Sequence, residues 1–390
     1  MIVVIADDLT GAGEIGGIGL AYGLTAEIQR EFYLKSDVRL LIIDTDTRSC
    51  SPEEAGQKIR EITYHLKTSG LPVEWVYKKT DSVLRGPVAG ELEALQDVMC
   101  AARVLLVPAN PTKGRIICNG NYLIKGIPLS ETDFANDPEY PATTSNILKL
   151  PALSGARQIH LLKSGQVCSC AGIVIGQAET TYDLLEWSQY MDEQTILAGA
   201  GEFFEAILRS KGFSKGKVTE DKEYPLGSKA LFVCGSSSDS SRKALRQADS
   251  LGRKICRMPE ALFNSDCPED IFIQQWSDDI IRSFEKQEDI VIAVDREAVG
   301  NAEFAGKLRS CMAAAVWCVL QKIPLKELFV EGGATASQIV GCFGWSRFEP
   351  SDQLGPGVVR MKVWESNNLY LTIKPGSYPW PKSLWEKEEF

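Results

Sequence analysis

Ile2-Val3-Val4-Ile5-Ala6-Asp7-Asp8-Leu9-Thr10-Gly11 is the stretch on which the rest of the chain is read. Five apolar residues in a row are too few for a helix. They do not alternate with polar ones either, so they predict a strand buried on both faces, as in a parallel sheet. The run stops at two carboxylates. In an open α/β sheet the residues just past a strand's carboxyl end are where ligands bind, so Asp7 and Asp8 stand where chemistry is expected.

Residues 40–44, 75–79, 104–107, 159–162 and 172–175 repeat the same character. Between them, apolar spacing near 3.6 predicts helices over 13–30, 52–68 and 90–102. The segment 108–145, rich in Pro, Gly, Asn and Thr, breaks this rhythm and is too long for a plain connection; such segments are usually functional or disordered. A Lys/Gly-rich stretch over 210–229 reads as a linker. Beyond it the alternation restarts, with strands predicted at 230–234, 290–294, 328–331 and 370–374 and helices at 240–251, 300–321 and 335–343. The expected architecture is α/β with two domains, residues 1–215 and 230–390 joined by a linker over 216–229. Each would carry a mainly parallel sheet flanked by helices.

The 390 residues hold 42 Lys and Arg against 52 Asp and Glu, a formal charge of −10 that repels nucleic acid. The amino-terminal run has neither the basic start nor the length of a secretory signal, and the most apolar later stretch, 311–320, is too short to span a bilayer. Eleven cysteines, an odd number with no CxxC pair, are expected to be reduced and buried, which fits a cytoplasmic protein. Cys168 and Cys170 lack a second pair or a nearby His to complete a zinc site.

Gly11, Gly13 and Gly16 spell GxGxxG, the dinucleotide fingerprint. Here Asp7 and Asp8 intervene between strand and glycines and would repel a pyrophosphate, and Asp44 lies later than the ribose-binding acid of that motif. Two further strand ends carry matching chemistry: Asp44-Thr45-Asp46-Thr47-Arg48, then Lys78-Lys79-Thr80-Asp81-Ser82-Val83-Leu84-Arg85-Gly86. Arg48, Lys79 and Arg85 beside Asp8 and Asp81 suit a small polyhydroxy carboxylate, with guanidinium on carboxylate and acids on hydroxyls. In the second half, Gly235-Ser236 and Gly332-Gly333-Ala334-Thr335 each join a strand to a helix, where free N–H groups can face phosphate. His65 and His160, the two histidines, fall inside a helix and a strand pattern and read as structural. There is no GxxxxGK[ST] loop and no protein-kinase signature.

These loops resemble the four-carbon acid sugar kinase family of D-threonate, D-erythronate and 3-oxo-tetronate kinases. The resemblance runs from residue 1 to about 375. It rests on Ala6-Asp7-Asp8-Leu9-Thr10-Gly11-Ala12, Thr45-Asp46-Thr47-Arg48, Lys79 to Gly86, Pro108-Ala109-Asn110-Pro111, Gly114-Arg115, Gly126-Ile127-Pro128-Leu129 and Thr132 to Pro138. It implies an amino-terminal domain for the sugar acid, a carboxy-terminal domain for ATP with Mg²⁺, and an active site in the cleft between them. Carried over, Asp8, Arg48, Lys79, Thr80, Asp81 and Ser82 contact substrate, with Arg85 beside them, and Asp81 or Asp8 takes the proton of the terminal hydroxyl. Ser236, Gly332, Gly333, Ala334, Thr335 and Gly376 would hold the nucleotide; no metal ligand is assigned. The chain departs from the family's pattern at Ala334, where an acid is frequent, at Gly13-Glu14, and in the tail Lys374-Pro375-Gly376-Ser377-Tyr378-Pro379-Trp380-Pro381. The expected partners are a sugar acid and ATP, with a homodimer left open and neither nucleic acid nor membrane. Two other readings compete: a non-catalytic sugar-acid or nucleotide sensor, and an NAD(P)-dependent oxidoreductase.

Overall fold

A computed structural model describes residues 1–33, 36–137, 139–167, 169–216, 229–235, 238–263, 269–294, 302–366, 368–376, 378–381 and 384. The chain forms two compact units, Met1–Gly216 and Lys217–Phe390. Residues 217–228, most of the expected linker, lie outside the described residues.

The first unit runs β1 (Ile2–Ala6), α1 (Leu9–Ala21), β2 (Ala26–Gln29), β3 (Leu40–Asp44), α2 (Pro52–Thr68), β4 (Trp75–Lys79), α3 (Val88–Met99), β5 (Arg103–Val107), β6 (Arg115–Cys118), β7 (Asn121–Ile124), β8 (Ile127–Pro128), β9 (Ile159–Leu162), β10 (Gly172–Gly176), α4 (Thr181–Ser188), β11 (Thr195–Gly199) and α5 (Gly201–Ser210). Eight strands form one all-parallel array in the order β2-β3-β1-β4-β11-β5-β10-β9. β1 is in register with β3 on one side (Ala6 opposite Asp44) and β4 on the other (Ala6 opposite Lys79). The connection after β1 goes to one side and the later return to the other, which makes the carboxyl end of β1 a topological switch point.

Strand β4 shows how the two faces are used. Val76 packs with Ile59 of α2 and Leu92 of α3, while Tyr77 lies tilted against Phe203 and Phe204 of α5. Strand alternation then sends Lys78 toward α3 and Lys79 toward α1. Helix α2 begins with a full capping box, Ser51 and Glu54, followed by Pro52 at its first position.

Two expectations are corrected. The helix predicted over 13–30 runs from Leu9 to Ala21, and Ala26–Gln29 is a strand. Gly23, at φ +70°, breaks the helical path, and buried Ala26 and Ile28 then join the sheet edge. The segment 108–145 is not without regular structure: β6, β7 and β8 form a small antiparallel sheet that carries several single 3₁₀ turns. Strands this short lie below the length at which periodicity shows.

The second unit continues with β12 (Ala230–Cys234), α6 (Asp239–Ser250), β13 (Lys254–Arg257), α7 (Glu269–Ser283), β14 (Asp289–Ala293), α8 (Ala302–Lys322), β15 (Glu327–Glu331), α9 (Gly333–Phe343), β16 (Arg347–Gly355), β17 (Val358–Val363) and β18 (Tyr370–Lys374). Strands β13-β14-β12-β15-β18 are parallel, and β17 and β16 follow antiparallel. Phe232 stacks on Phe329 at 4.3 Å between ring centres, with Trp380 edge-on to both. Among the described residues no cysteine is disulfide-bonded, and no helix is long and apolar enough to cross a membrane.

Gly199 closes β11 where the sheet meets the loops. Its φ of +149° excludes most side chains, and a Cβ there would be driven into the Val107 carbonyl, while its own carbonyl accepts the Thr80 N–H at 2.9 Å. Gly199→Ala is expected to lower the unfolding free energy by at least about 2 kcal/mol. Urea unfolding of both proteins measures this, and equal midpoints with equal slopes would contradict it.

Candidate functional site

Three loops meet at the switch point, and each delivers charge. Asp8 caps α1: its carboxylate accepts the Gly11 N–H at 2.7 Å and the Thr10 hydroxyl. This disposes of the GxGxxG match, because Gly11, Gly13 and Gly16 lie inside α1 and the position a pyrophosphate would occupy is filled by the chain's own carboxylate. Asp44 is buried against Arg30 at 3.1 Å, its carboxyl pushed up to about 7 by burial and by Asp46 and Asp8 despite that arginine. It is not presented as a ribose acceptor.

Arg48, from the loop after β3, is forked by the first loop. Its Nε donates to Asp7 at 2.9 Å and its Nη1 to Asp8 at 2.6 Å, and Asp81 lies 3.8 Å away. The Thr47 and Arg48 N–H groups both donate to the Asp7 carbonyl. Burial would raise the Asp7 carboxyl, but Arg48, Lys78 and Lys79 together hold it below its ordinary range.

The end of β4 divides its charges between the two faces of the sheet. Lys79 pairs with Glu14 of α1 at 3.3 Å, and Lys113 reaches the same carboxylate at 2.8 Å. Lys78, fully buried, pairs with Glu91 of α3 at 3.1 Å. Asp81 accepts from the Val83 and Arg85 N–H groups and from the Arg85 guanidinium through both oxygens. Although burial works against ionisation, Arg85 and Arg48 hold its carboxyl well below the usual carboxylate range. Asp7 Oδ1 and Thr80 Oγ1 are buried without a hydrogen-bond partner among the described residues, a capacity that a bound ligand or water would meet.

The expected substrate residues Asp8, Arg48, Lys79, Thr80, Asp81, Ser82 and Arg85 thus come from neighbouring strand ends, and Asp8, Arg48 and Asp81 form one connected cluster. Several neighbours were not assigned roles from the sequence. Arg115 of β6 donates to the Ser82 hydroxyl, and Arg85 is shared between Asp81 and Asp137 at 3.2 Å. The Arg85 and Arg115 guanidinium groups both lie 5.6 Å from the Phe134 ring centre. Tyr140 donates to the Arg48 carbonyl, and a Cβ on Gly86 would meet that carbonyl at 3.0 Å. The long segment 108–145 therefore braces the loops. Its length was the signal; its contacts had none.

In the second unit the carboxyl ends of β12, β15 and β18 lie side by side. Gly332 caps α9 with φ +96° and no side-chain bond, so the N–H groups of Gly333, Ala334 and Thr335 open the helix uncapped, with no acid in the first turn. A Cβ on Gly235 would strike Thr335, so backbone and helix tip approach closely there. The Gly376 carbonyl accepts the Ser238 hydroxyl at 2.7 Å, tying the last loop to the cap of α6. Ser236 lies outside the described residues. Beneath these tips Lys374 pairs with Glu331 at 3.3 Å, both buried, and donates to the Tyr378 carbonyl at 2.7 Å. Uncapped N–H groups with no competing acid fit a phosphate chain. Among the described residues no three His, Cys, Asp or Glu side chains are placed to hold a metal ion.

A model of a sugar-binding N-terminal domain matches residues 2–200, and one of a nucleotide-binding C-terminal domain matches 231–378. The chain is 24% identical over 388 residues to the D-threonate kinase of Salmonella typhimurium, covering 91% of this chain and 89% of that one. It is 24% identical over 414 residues to the 3-oxo-tetronate kinase of Haemophilus influenzae, covering 97% of each. The D-erythronate kinase of Heliobacterium modesticaldum is 29% identical over 272 residues, 64% of this chain and 60% of that one. In fold it is similar to a Salmonella typhimurium LT2 structure described as a tRNA synthase (TM-score 0.76, 17% identity, 97% and 96% covered) and to Haemophilus influenzae protein HI1011 (TM-score 0.69, 20% identity, 97% of each). The domain matches and the kinase relatives together define an acid sugar kinase, a sugar-binding unit followed by a nucleotide-binding one. The chain belongs to the four-carbon acid sugar kinase family.

Glu14 gives the site a pH signature. Burial raises its carboxyl, but Lys113 and Lys79 overcome this and bring it from 4.5 to about 2. A depressed folded value contributes stability that is complete above the unfolded value and lost as pH falls toward the folded one. Glu14→Gln should therefore cost up to about 3 kcal/mol at pH 7. The gap from the parent should close between pH 4.5 and 2. Urea titrations across that window test it; a gap independent of pH would exclude the ion pairs as its source.

Proposed function

We propose that the chain transfers the γ-phosphoryl group of ATP to the terminal hydroxyl of a four-carbon sugar acid of the threonate, erythronate or 3-oxo-tetronate type. The observation that carries this reading is the cluster at the β1 switch point, where Arg48 is shared between Asp7 and Asp8 beside Asp81. Guanidinium and ammonium groups interleaved with carboxylates suit a ligand that is anionic at one end and polyhydroxylic along its length.

Arg48 and Lys79 orient the acid. Both oxygens of each candidate acid are engaged, but those of Asp81 both face the Arg85 guanidinium, which opposes protonation. Only one oxygen of Asp8 faces a guanidinium, and the other accepts a backbone N–H, so the proton-accepting role is assigned to Asp8. Asp81 instead keeps Arg85 and the 81–85 turn in place. At the other end, the N–H groups of Gly333, Ala334 and Thr335 take phosphate oxygens, with Gly376 on the adjoining loop. Mg²⁺ bound with ATP would supply neutralisation of phosphate charge; among the described residues no three His, Cys, Asp or Glu side chains are placed to hold it directly. Phosphoryl transfer depends on such positioning and charge neutralisation more than on covalent chemistry.

A coupled ADP-release assay over D-threonate, D-erythronate and 3-oxo-tetronates tests the activity, with NAD⁺ binding as the opposing measurement. At least one acid should drive ADP release; binding of the acids without turnover would favour a sensor. Asp8→Asn is expected to lower kcat by ~10²–10⁴ with the sugar acid that is used. A parent-like kcat would remove Asp8 from the proton-accepting role. Gly332→Ala, forced to φ +96°, should raise the KM for ATP while leaving that for the acid unchanged. If only the acid's KM moved, the nucleotide would have to be placed elsewhere.

A further inference from the structure

Under the switch point lies a charged pair that no substrate can touch. The Lys78 and Glu91 side chains are 0% and 1% exposed, with Nζ and Oε2 3.1 Å apart. Lys78 also donates to the Lys79 carbonyl at 3.2 Å. The other oxygen of Glu91 accepts the Thr47 hydroxyl, which lies 2.6 Å from that of Thr45, and Thr45 in turn donates to the Ala6 carbonyl at 2.8 Å. One carboxylate on α3 therefore grips the loop after β3 and the end of β4, and through Thr45 it is linked to the end of β1.

Chain position gives this meaning. Thr47 immediately precedes Arg48, and Lys78 immediately precedes Lys79. Alternation in β4 buries Lys78 on the α3 side and presents Lys79 on the opposite face, so one anchor below holds the backbone that carries each cation above. Burying a lysine and a glutamate is a poor route to stability, since apolar residues of similar volume usually serve as well or better. We propose that Glu91, with Lys78 and Thr47, is a positioning group that sets the spacing of Arg48 and Lys79 for the sugar acid. The pair is also linked electrostatically to the switch point: burial, joined by Asp7, pushes the Glu91 carboxyl up against the pull of Lys78, and the same Lys78 helps hold Asp7 down.

This inference rests on the kinase reading, so parent turnover of a four-carbon acid is measured first; its absence with every acid tried would sink that reading. The decisive protein is the double variant Lys78→Met with Glu91→Leu, compared with each single change and with Thr47→Val. Each single change at the pair should lower the thermal midpoint, and the double should recover most of it. A merely structural pair would recover kinetics along with stability. A positioning pair would leave the KM for the sugar acid raised about tenfold or more, given how steeply rate depends on small misplacements. The KM for ATP should stay within about twofold. Thr47→Val should raise the acid's KM in the same direction without a lysine left unpaired. A reading independent of turnover is the Arg48 Nε–H resonance, sharp in the parent because Asp7 accepts it at 2.9 Å and broadened or shifted in the double variant. A folded double variant with parent-like KM for the acid and an unmoved Arg48 resonance would overturn the proposal; if the double does not fold, Thr47→Val with both parameters unchanged would do so.

Discussion

Everything at the amino-terminal site depends on a single electrostatic constraint: charges taken out of water at the ends of a parallel sheet must be countered by other charges held in fixed geometry. Asp7 and Asp8 are nearly inaccessible and are tolerated because Arg48 lies between them, itself fixed by backbone bonds to the Asp7 carbonyl. The same logic accounts for Lys79 and Lys113 around Glu14, and for Arg85 between Asp81 and Asp137. The result is a lattice of alternating signs with little freedom in any member. On the proposed reading, a ligand entering it would exchange hydrogen bonds with pre-oriented groups instead of organising them, the condition for selective binding of a small polar acid.

The second unit solves a different problem by different means. The carboxyl ends of its strands are built from backbone at helix tips, with Gly332 at positive φ and Gly235 pressed against Thr335. Charge there is kept below the surface, in the Lys374–Glu331 pair that holds the last loop through the Tyr378 carbonyl. At 24–29% identity to kinases named for three different four-carbon acids, the family and its class of activity are shared.

Much of this was legible beforehand. Apolar runs of three to five residues meeting Asp7-Asp8, Asp44 and Lys78-Lys79 placed β1, β3 and β4 to the residue, because strands buried on both faces have no reason to alternate. Less was legible where burial is partial or glycine intervenes. Helix α1 was extended through Gly23 into β2, since Ala26 and Ile28 continue an apolar pattern that cannot reveal a reversal of direction. The short strands β6 to β8 and the antiparallel strands β16 and β17 escaped for want of length or of continuous apolar character.

The amino-acid sequence by itself determined the class: alternating elements, a charged first half, glycine-rich strand ends in the second, and an order of motifs that belongs to one family. Tertiary structure alone decided which charge answers which. The strand-end motifs singled out Asp8, Asp81, Arg48 and Arg85 without saying which pairs with which; the fold gave Asp81 to Arg85 and Arg48 to Asp7 and Asp8. The reason is physical: periodicity reports only how each residue meets its own element's face, whereas pairing depends on distances between residues tens of positions apart, and these exist only once the sheet has brought its strand ends together.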